Sequence, residues 1–170
     1  MTHDVYIALG TNLGDRIPNL RDALRSFAPD LEVVAASRIF ETPPWGYADQ
    51  PPFLNMAVHA RTDLGPEETL ERLKQLEVEL GRELTFRWGP RLIDLDILFY
   101  DDLVLDTPSL DIPHKRLHER AFVLVPLADI APDLVHPALG KTIRQLLAEV
   151  DTSDIVPFTA QIETTVTPKR

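Results

Sequence analysis

The chain contains no cysteine. A disulfide framework, a zinc–thiolate centre and a thiol nucleophile are therefore excluded. Positive charge is also scarce. Seventeen lysines and arginines stand against 27 aspartates and glutamates, a net charge of −10 with an isoelectric point near 4.9. Such a chain lacks the broad basic face that nucleic acid or an anionic membrane requires, so neither is expected as a partner. A small anionic ligand needs only a local basic cluster and stays possible. No stretch approaches the roughly 18 apolar residues of a membrane span. The opening MTHDVYIALG has neither a basic leader nor a long apolar run, so a cytoplasmic location is expected. No internal repeat or low-complexity tract appears.

What is present suits a soluble globular fold. The 170 residues are 44% hydrophobic and 26% charged, enough to bury a proper core in one domain. Residues 1–150 read as a single domain, and 151–170, polar and weakly patterned, as a tail or late edge strand. VYIALG (5–10) reads as a strand. Leu20, Ala23, Leu24 and Phe27 then recur at i, i+3, i+4 and i+7, the stripe of an amphipathic helix. The stretch 31–42 alternates as one strand. Residues 42–52 hold four of the fifteen prolines, which restricts the backbone and predicts a loop. In 53–61, Leu54, Met56, Val58 and Ala60 face one way, with Phe53, Asn55 and His59 facing the other. Pro66, Glu67 and Glu68 open a second helix striped by Leu70, Leu73, Leu76 and Leu80, with Gly81 as its stop. A strand over 92–100 follows. The order β-α-β-β-α-β is the ferredoxin-like α+β pattern, with both helices on one side of an antiparallel sheet. C-terminal helices, including TIRQLLAEV, are added to it.

The strand RLIDLDILFY carries an oddity: Asp94 and Asp96 lie inside an apolar run. On a strand, residues i and i+2 share a face about 6.6 Å apart. Two bare carboxylates at that distance repel by roughly 2.5 kcal/mol at an effective dielectric near 20. Something positive must compensate. Either nearby arginines pair with them and anchor a loop, or the pair is an oxygen platform for a divalent cation such as magnesium. The flanking RWGPR and the downstream HKRLHER favour the second reading. Carboxylates for a metal beside arginines for the phosphates it neutralises is the composition of a phosphoryl-transfer site.

With these pieces in order, YIALGTNLGDR, ETPPWG, DQPPFLNMAV, RWGPRLIDLDIL and IPHKRLHERAFVLVPLADIAP resemble the 6-hydroxymethyl-7,8-dihydropterin pyrophosphokinases of folate biosynthesis. The likeness covers nearly all of the chain to about residue 150, and RWGPRLIDLDI is its most specific part. It implies transfer of pyrophosphate from ATP, the co-substrate, to the pterin's hydroxymethyl oxygen, with AMP leaving. It implies that Asp94 and Asp96 hold two magnesium ions, with Asp96 also helping to deprotonate the hydroxyl. Arg82 and Arg91 would neutralise charge at the reacting phosphorus. Arg87, Trp88, Arg91, His114, Lys115 and Arg120 would line the nucleotide site, with Glu77 and the backbone at Ile97. Phe53 and Phe122 would sandwich the pterin, while Asn55 and the stretch Thr42, Pro43, Pro44 and Trp45 read its polar edge. Dihydropteroate synthase is implied as a functional neighbour. The chain departs from the family in RELTF, where only Arg82 is basic, and at Phe53, Lys115 and Lys74.

Plainer readings apply elsewhere. GTNLGDR fits neither glycine-rich phosphate-loop spacing and reads as a turn capping the first helix. His59 reads as a strand surface residue, and His3, His118 and His136 have no partner pattern. The rival to an enzyme is a ferredoxin-like regulatory module that binds a small molecule without turnover. It leaves the aspartate pair beside arginines unexplained.

Overall fold

The structure, a computed structural model, describes residues 1–44, 49–81 and 92–158. Strand β1 (His3–Thr11) leads to helix α1 (Arg16–Ser26), then β2 (Leu31–Ala36), β3 (Phe40–Thr42) and β4 (Phe53–Thr62). Helix α2 (Pro66–Glu79) precedes β5 (Asp94–Tyr100). A small ribbon of β6 (Leu105–Asp106) and β7 (Asp111–Ile112), a 3-10 turn at Leu117–Glu119, α3 (Ala121–Ile130), α4 (Ile143–Leu147) and β8 (Val156–Pro157) follow. The main sheet runs β5-β1-β4, with β2 and β3 in succession along the outer side of β4 and β8 beyond β3. Its pairings are antiparallel. Hence β1 and β2 run parallel with β4 between them, and β4 and β5 run parallel with β1 between them. Two split β-α-β units interlock, which is the ferredoxin-like arrangement expected from the element order.

The stretch 31–42 is not one strand. It breaks at Ser37 and Arg38, between β2 and β3. There the Ser37 hydroxyl accepts the Ala57 N–H at 2.8 Å, and the Arg38 N–H turns to Asp129 of α3 at 2.8 Å. The Arg38 guanidinium grips the same carboxylate at 2.9 Å. The Ser37 N–H still donates to the Ala57 carbonyl at 2.9 Å, while side-chain oxygens accept the Ala57 and Arg38 N–H groups, and the chain resumes as β3 nearer the proline-rich loop.

Both long helices cover one face. Leu20, Ala23 and Leu24 of α1 and Leu73 and Leu76 of α2 pack with Leu54, Met56, Val58 and Ala60 of β4. Each fully buried leucine contributes roughly 1.5–3 kcal/mol. Gly81, just past α2, holds φ at +89°, a conformation that costs glycine little and other residues more. Leu124 and Leu127 of α3 and Ile143 and Leu146 of α4 cover part of the opposite face with Leu98 and Phe99. A bulge in β5 makes this possible, because Ile7 pairs Ile97 while Tyr6 pairs Phe99, leaving Leu98 out of register. Ahead of the bulge, Leu95 and Ile97 belong to the α1/α2 core, so Asp94 and Asp96 face the other way. After it, Leu98 and Phe99 both enter the α3/α4 core.

His136 supports this second core. It is buried, with its ring edge-on to Phe99 at 5.7 Å between centroids. Its Nδ1 accepts the N–H groups of Ala138 and Leu139 at 3.2 and 3.1 Å. An imidazole accepting at Nδ1 is neutral, and burial holds its pKa below the ordinary value of 6.5. As pH falls, the unfolded chain takes the proton first. The stabilisation is therefore complete above about pH 6.5 and declines as pH drops toward the folded-state value. The melting temperature is expected to fall between pH 7.5 and 5.5, and His136→Asn, which keeps an acceptor without titrating, should flatten that slope. Identical slopes in the two proteins would count against this account.

Candidate active site

Two cross-strand rows on the face that α3 and α4 leave partly open define the site. In the first, Gly10 of β1 lies between Asn55 of β4 and Asp94 of β5. In the second, Ala8 lies between Ala57 and Asp96. Two strand spacings separate the outer members of each row, about 10 Å. The central strand contributes only glycine and alanine here, so no bulky β1 side chain stands between the carboxylates and β4. Asp96 is exposed and, among the described residues, no lysine or arginine forms an ion pair with it.

The polar half of the first row is tightly set. Asn55 is buried, and its Nδ2 donates to the Thr42 hydroxyl at 2.7 Å. Thr42 opposes Phe53 on β3, so Thr42, Phe53 and Asn55 share one face. A Cβ at Gly10 would lie 3.0 Å from Asn55 Oδ1 and 3.8 Å from Phe53 Cδ1. Gly10→Ala should therefore displace the Asn55 amide. A loss of about one hydrogen bond, near 1.4 kcal/mol, weakens binding of a ligand read by Asn55 roughly tenfold. Titration of a pterin and of an ATP analogue should show the loss for the pterin alone. Equal loss for both would refute it.

On the outer edge of β5, two contacts replace the missing strand. The buried Glu77 of α2 accepts the Leu95 N–H at 2.8 Å, between the two aspartates in sequence. The His114 N–H donates to the Leu98 carbonyl at 3.0 Å. That bond brings the segment 112–120 alongside the carboxylates. Burial pushes the His114 imidazole below its ordinary pKa while the charge of Asp96 pulls it up. Arg120 responds in the same way: desolvation lowers its pKa and Asp96 opposes the shift. Its guanidinium also sits 5.6 Å over the ring of Phe122, at the start of α3. One cation thus links the carboxylate side to the aromatic side.

The structure brings together Asp94, Asp96, His114 and Arg120, and sets Thr42, Phe53 and Asn55 beside them on the same face. Glu77 reaches the group through its bond to β5. The Ile97 side chain is buried in the α1/α2 core, so only its backbone is available to a ligand. Lys115 and Pro43 are exposed, and Pro44 is half-buried. Trp45, Arg82, Arg87, Trp88 and Arg91 lie outside the described residues. Gly10, whose empty Cβ position makes room for Asn55, was missed in reading the sequence. GTNLGDR held the signal, but a glycine that serves a neighbouring strand leaves no local pattern.

Two carboxylates on one face of a strand fit magnesium, which takes one or two protein carboxylates and completes its shell with water and phosphate. No described cluster offers three or more acidic or histidine ligands, so a site built by protein alone is not what these residues make.

The fold is that of a small ferredoxin-like domain, and the family it matches is one of transferases. Residues 6–132 match the family described as 7,8-dihydro-6-hydroxymethylpterin-pyrophosphokinase (HPPK). The chain is 47% identical over 152 residues to the 2-amino-4-hydroxy-6-hydroxymethyldihydropteridine pyrophosphokinase of Methylorubrum extorquens, covering 88% of this chain and 95% of that one. It is 49% identical over 132 residues to the enzyme of the same name from Bacillus subtilis, covering 76% and 79%. Its fold matches the Plasmodium falciparum HPPK-DHPS triple mutant with a TM-score of 0.73 at 19% identity, over 88% of this chain and 43% of that longer one. The chain belongs to the HPPK family.

Proposed function

We infer that this enzyme transfers pyrophosphate from ATP to the hydroxymethyl oxygen of 6-hydroxymethyl-7,8-dihydropterin, releasing AMP, in folate biosynthesis. The observation that carries the reading is the pair of rows through β1. An amide suited to a flat heterocycle and a carboxylate pair suited to a metal–phosphate complex stand about 10 Å apart on one rigid face. Phe53 and Phe122 clamp the pterin ring, and Asn55, able to donate and accept, reads its amide-like edge with the groups of 42–45. Asp94 and Asp96 would hold two magnesium ions, which would supply charge neutralisation on the triphosphate. Asp96 takes the proton from the hydroxyl, whose oxygen forms a bond to the β-phosphorus. The bond from that phosphorus to the oxygen of the α-phosphate breaks, and AMP leaves. Arg120 and His114 face the nucleotide, with Lys115 at the rim and Glu77 holding the strand and the Ile97 backbone in place. Arg82 and Arg91 balance charge at the reacting phosphorus, and Arg87 and Trp88 contact the nucleotide.

The product is an activated pterin, so the enzyme that consumes it displaces its pyrophosphate. Dihydropteroate synthase is the neighbour proposed, in keeping with the Plasmodium HPPK-DHPS chain that shares this fold. Incubation with ATP, magnesium and the reduced hydroxymethylpterin should yield AMP. ADP as product would indicate single-phosphoryl transfer instead. Tight pterin binding without nucleotide turnover would support the regulatory module.

A further inference from the structure

The loop between β1 and α1 neither fits a phosphate loop nor caps its helix through a side chain, since Asp15 makes no capping bond. Its polar groups point to both sides of the site. Asn12, 1% exposed, donates through Nδ2 to Gln50 Oε1 at 2.8 Å and to the Pro51 carbonyl at 2.9 Å. Arg16 donates to the Glu41 carboxylate at 2.8 Å and the Pro52 carbonyl at 3.1 Å. Its guanidinium also lies 5.4 Å over the ring of Phe158, next to the C-terminal strand β8. These contacts fasten residues 50–52, the run that enters Phe53 and Asn55.

The same loop reaches the other half of the site. The Thr11 hydroxyl donates to the Leu92 carbonyl at 2.5 Å, and Asn19 Nδ2 orients it by donating to its oxygen at 3.0 Å. The Leu92 side chain fills the space beside two glycines. A Cβ at Gly14 would meet it at 3.6 Å and one at Gly81 at 3.1 Å. Leu92 stands two residues before Asp94, and Gly81 closes the helix that carries Glu77.

We propose that residues 11–16 form a brace that fixes the distance between the pterin half-site and the metal–nucleotide half-site, with Thr11 and Asn12 as positioning residues for the transfer. The inference rests on the reaction assigned above. A buried amide and a buried hydroxyl are costly to desolvate unless their partners are met. Here each partner is a group leading directly into one half-site. Both act through the groups they hold. Their effect lies in alignment, and in a transfer between two bound molecules a displacement of about 1 Å can cost on the order of a hundredfold in rate.

The test uses the full chain. Steady-state AMP formation is measured for wild type, Thr11→Val, Thr11→Ser and Asn12→Asp, with separate titrations of the pterin and of a non-hydrolysable ATP analogue. Thr11→Val keeps shape and removes the donor, while Asn12→Asp replaces the donating amide with an acceptor. Both should lower kcat about 10- to 100-fold while each ligand's dissociation constant changes less than about threefold. Thr11→Ser, which keeps the hydroxyl, should recover most of the rate. Unchanged kcat, a loss confined to the binding of one ligand, or equal rates for Thr11→Val and Thr11→Ser would overturn the brace. So would loss of cooperative melting in both variants, which would assign the loop to the fold. A wild-type protein that binds both ligands and forms no AMP removes the assigned reaction and the brace together.

Discussion

Asp96→Ala is expected to lower turnover by at least about a thousandfold, on the order of 4 kcal/mol of transition-state stabilisation. Asp94→Ala should behave alike. On the proposed metal platform, each substitution leaves one carboxylate where the triphosphate–metal complex would need two. Added magnesium should restore the rate only in part, because the lost ligand set position as well as affinity. The fold should not suffer. Asp96 is exposed and contributes nothing to either core; removing it relieves repulsion from Asp94 and forfeits attraction to Arg120. Both are screened at an exposed site to about 0–1 kcal/mol, so the melting temperature should stay close to that of wild type. The two readouts separate the explanations. A structural pair anchoring a loop predicts lower stability with activity lost only through unfolding. A metal platform predicts an inactive protein that melts close to the wild-type temperature. Unaltered rates in both variants would return the pair to a structural role.

Phe122→Ala is expected to weaken pterin binding by about 10- to 100-fold, since stacking on one aromatic ring is worth about 1–3 kcal/mol for a flat heterocycle. Phe122 sits at the start of α3 and packs only partly against the α3/α4 core. The ring is therefore partly accessible, in contrast to fully buried Phe27 and Phe99. The ATP analogue should bind within about threefold of wild type. A secondary effect is expected through Arg120, whose guanidinium lies over this ring. Loss of the ring leaves that cation less ordered, so kcat should fall modestly beyond the affinity loss. Phe122→Tyr, which keeps the stack, should bind pterin almost normally. A larger loss for the nucleotide than for the pterin would show that the clamp is misassigned.

Much of the fold was legible in the residues because its signals are local and periodic. The stripes of α1 and α2 and the alternation in β4 follow from which side chains avoid water, and their spacing is written in the chain. Breaks in that regularity were less visible. The split at Ser37 and Arg38 arises because Ala57 and Asp129, distant in sequence, supply the partners. The bulge at Leu98 follows from packing against α3 and α4. His136 shows no partner pattern because its partners are backbone N–H groups and the edge of Phe99.

The candidate site divides in the same way. Asp94 and Asp96 announce themselves, since two charges in an apolar strand demand an explanation within five residues of text. The family likeness carried Phe53, Asn55, His114, Arg120 and Phe122, none of which stands out chemically by itself. Gly10 and the Thr11–Asn12 brace escaped because their function is to leave space for, or hold, residues some forty to eighty positions away.

The amino-acid order alone thus settled where most strands and both long helices form, which faces those helices bury, and that the carboxylate pair needs positive charge beside it. Hydrophobic periodicity and charge repulsion are properties of neighbours along the chain. Only the folded sheet decided that Asn55, Gly10 and Asp94 share one row and that one loop grips both flanks of the site. Those placements follow from strand register and from hydrogen bonds between distant segments, and such partners are selected only when the backbone ladders close.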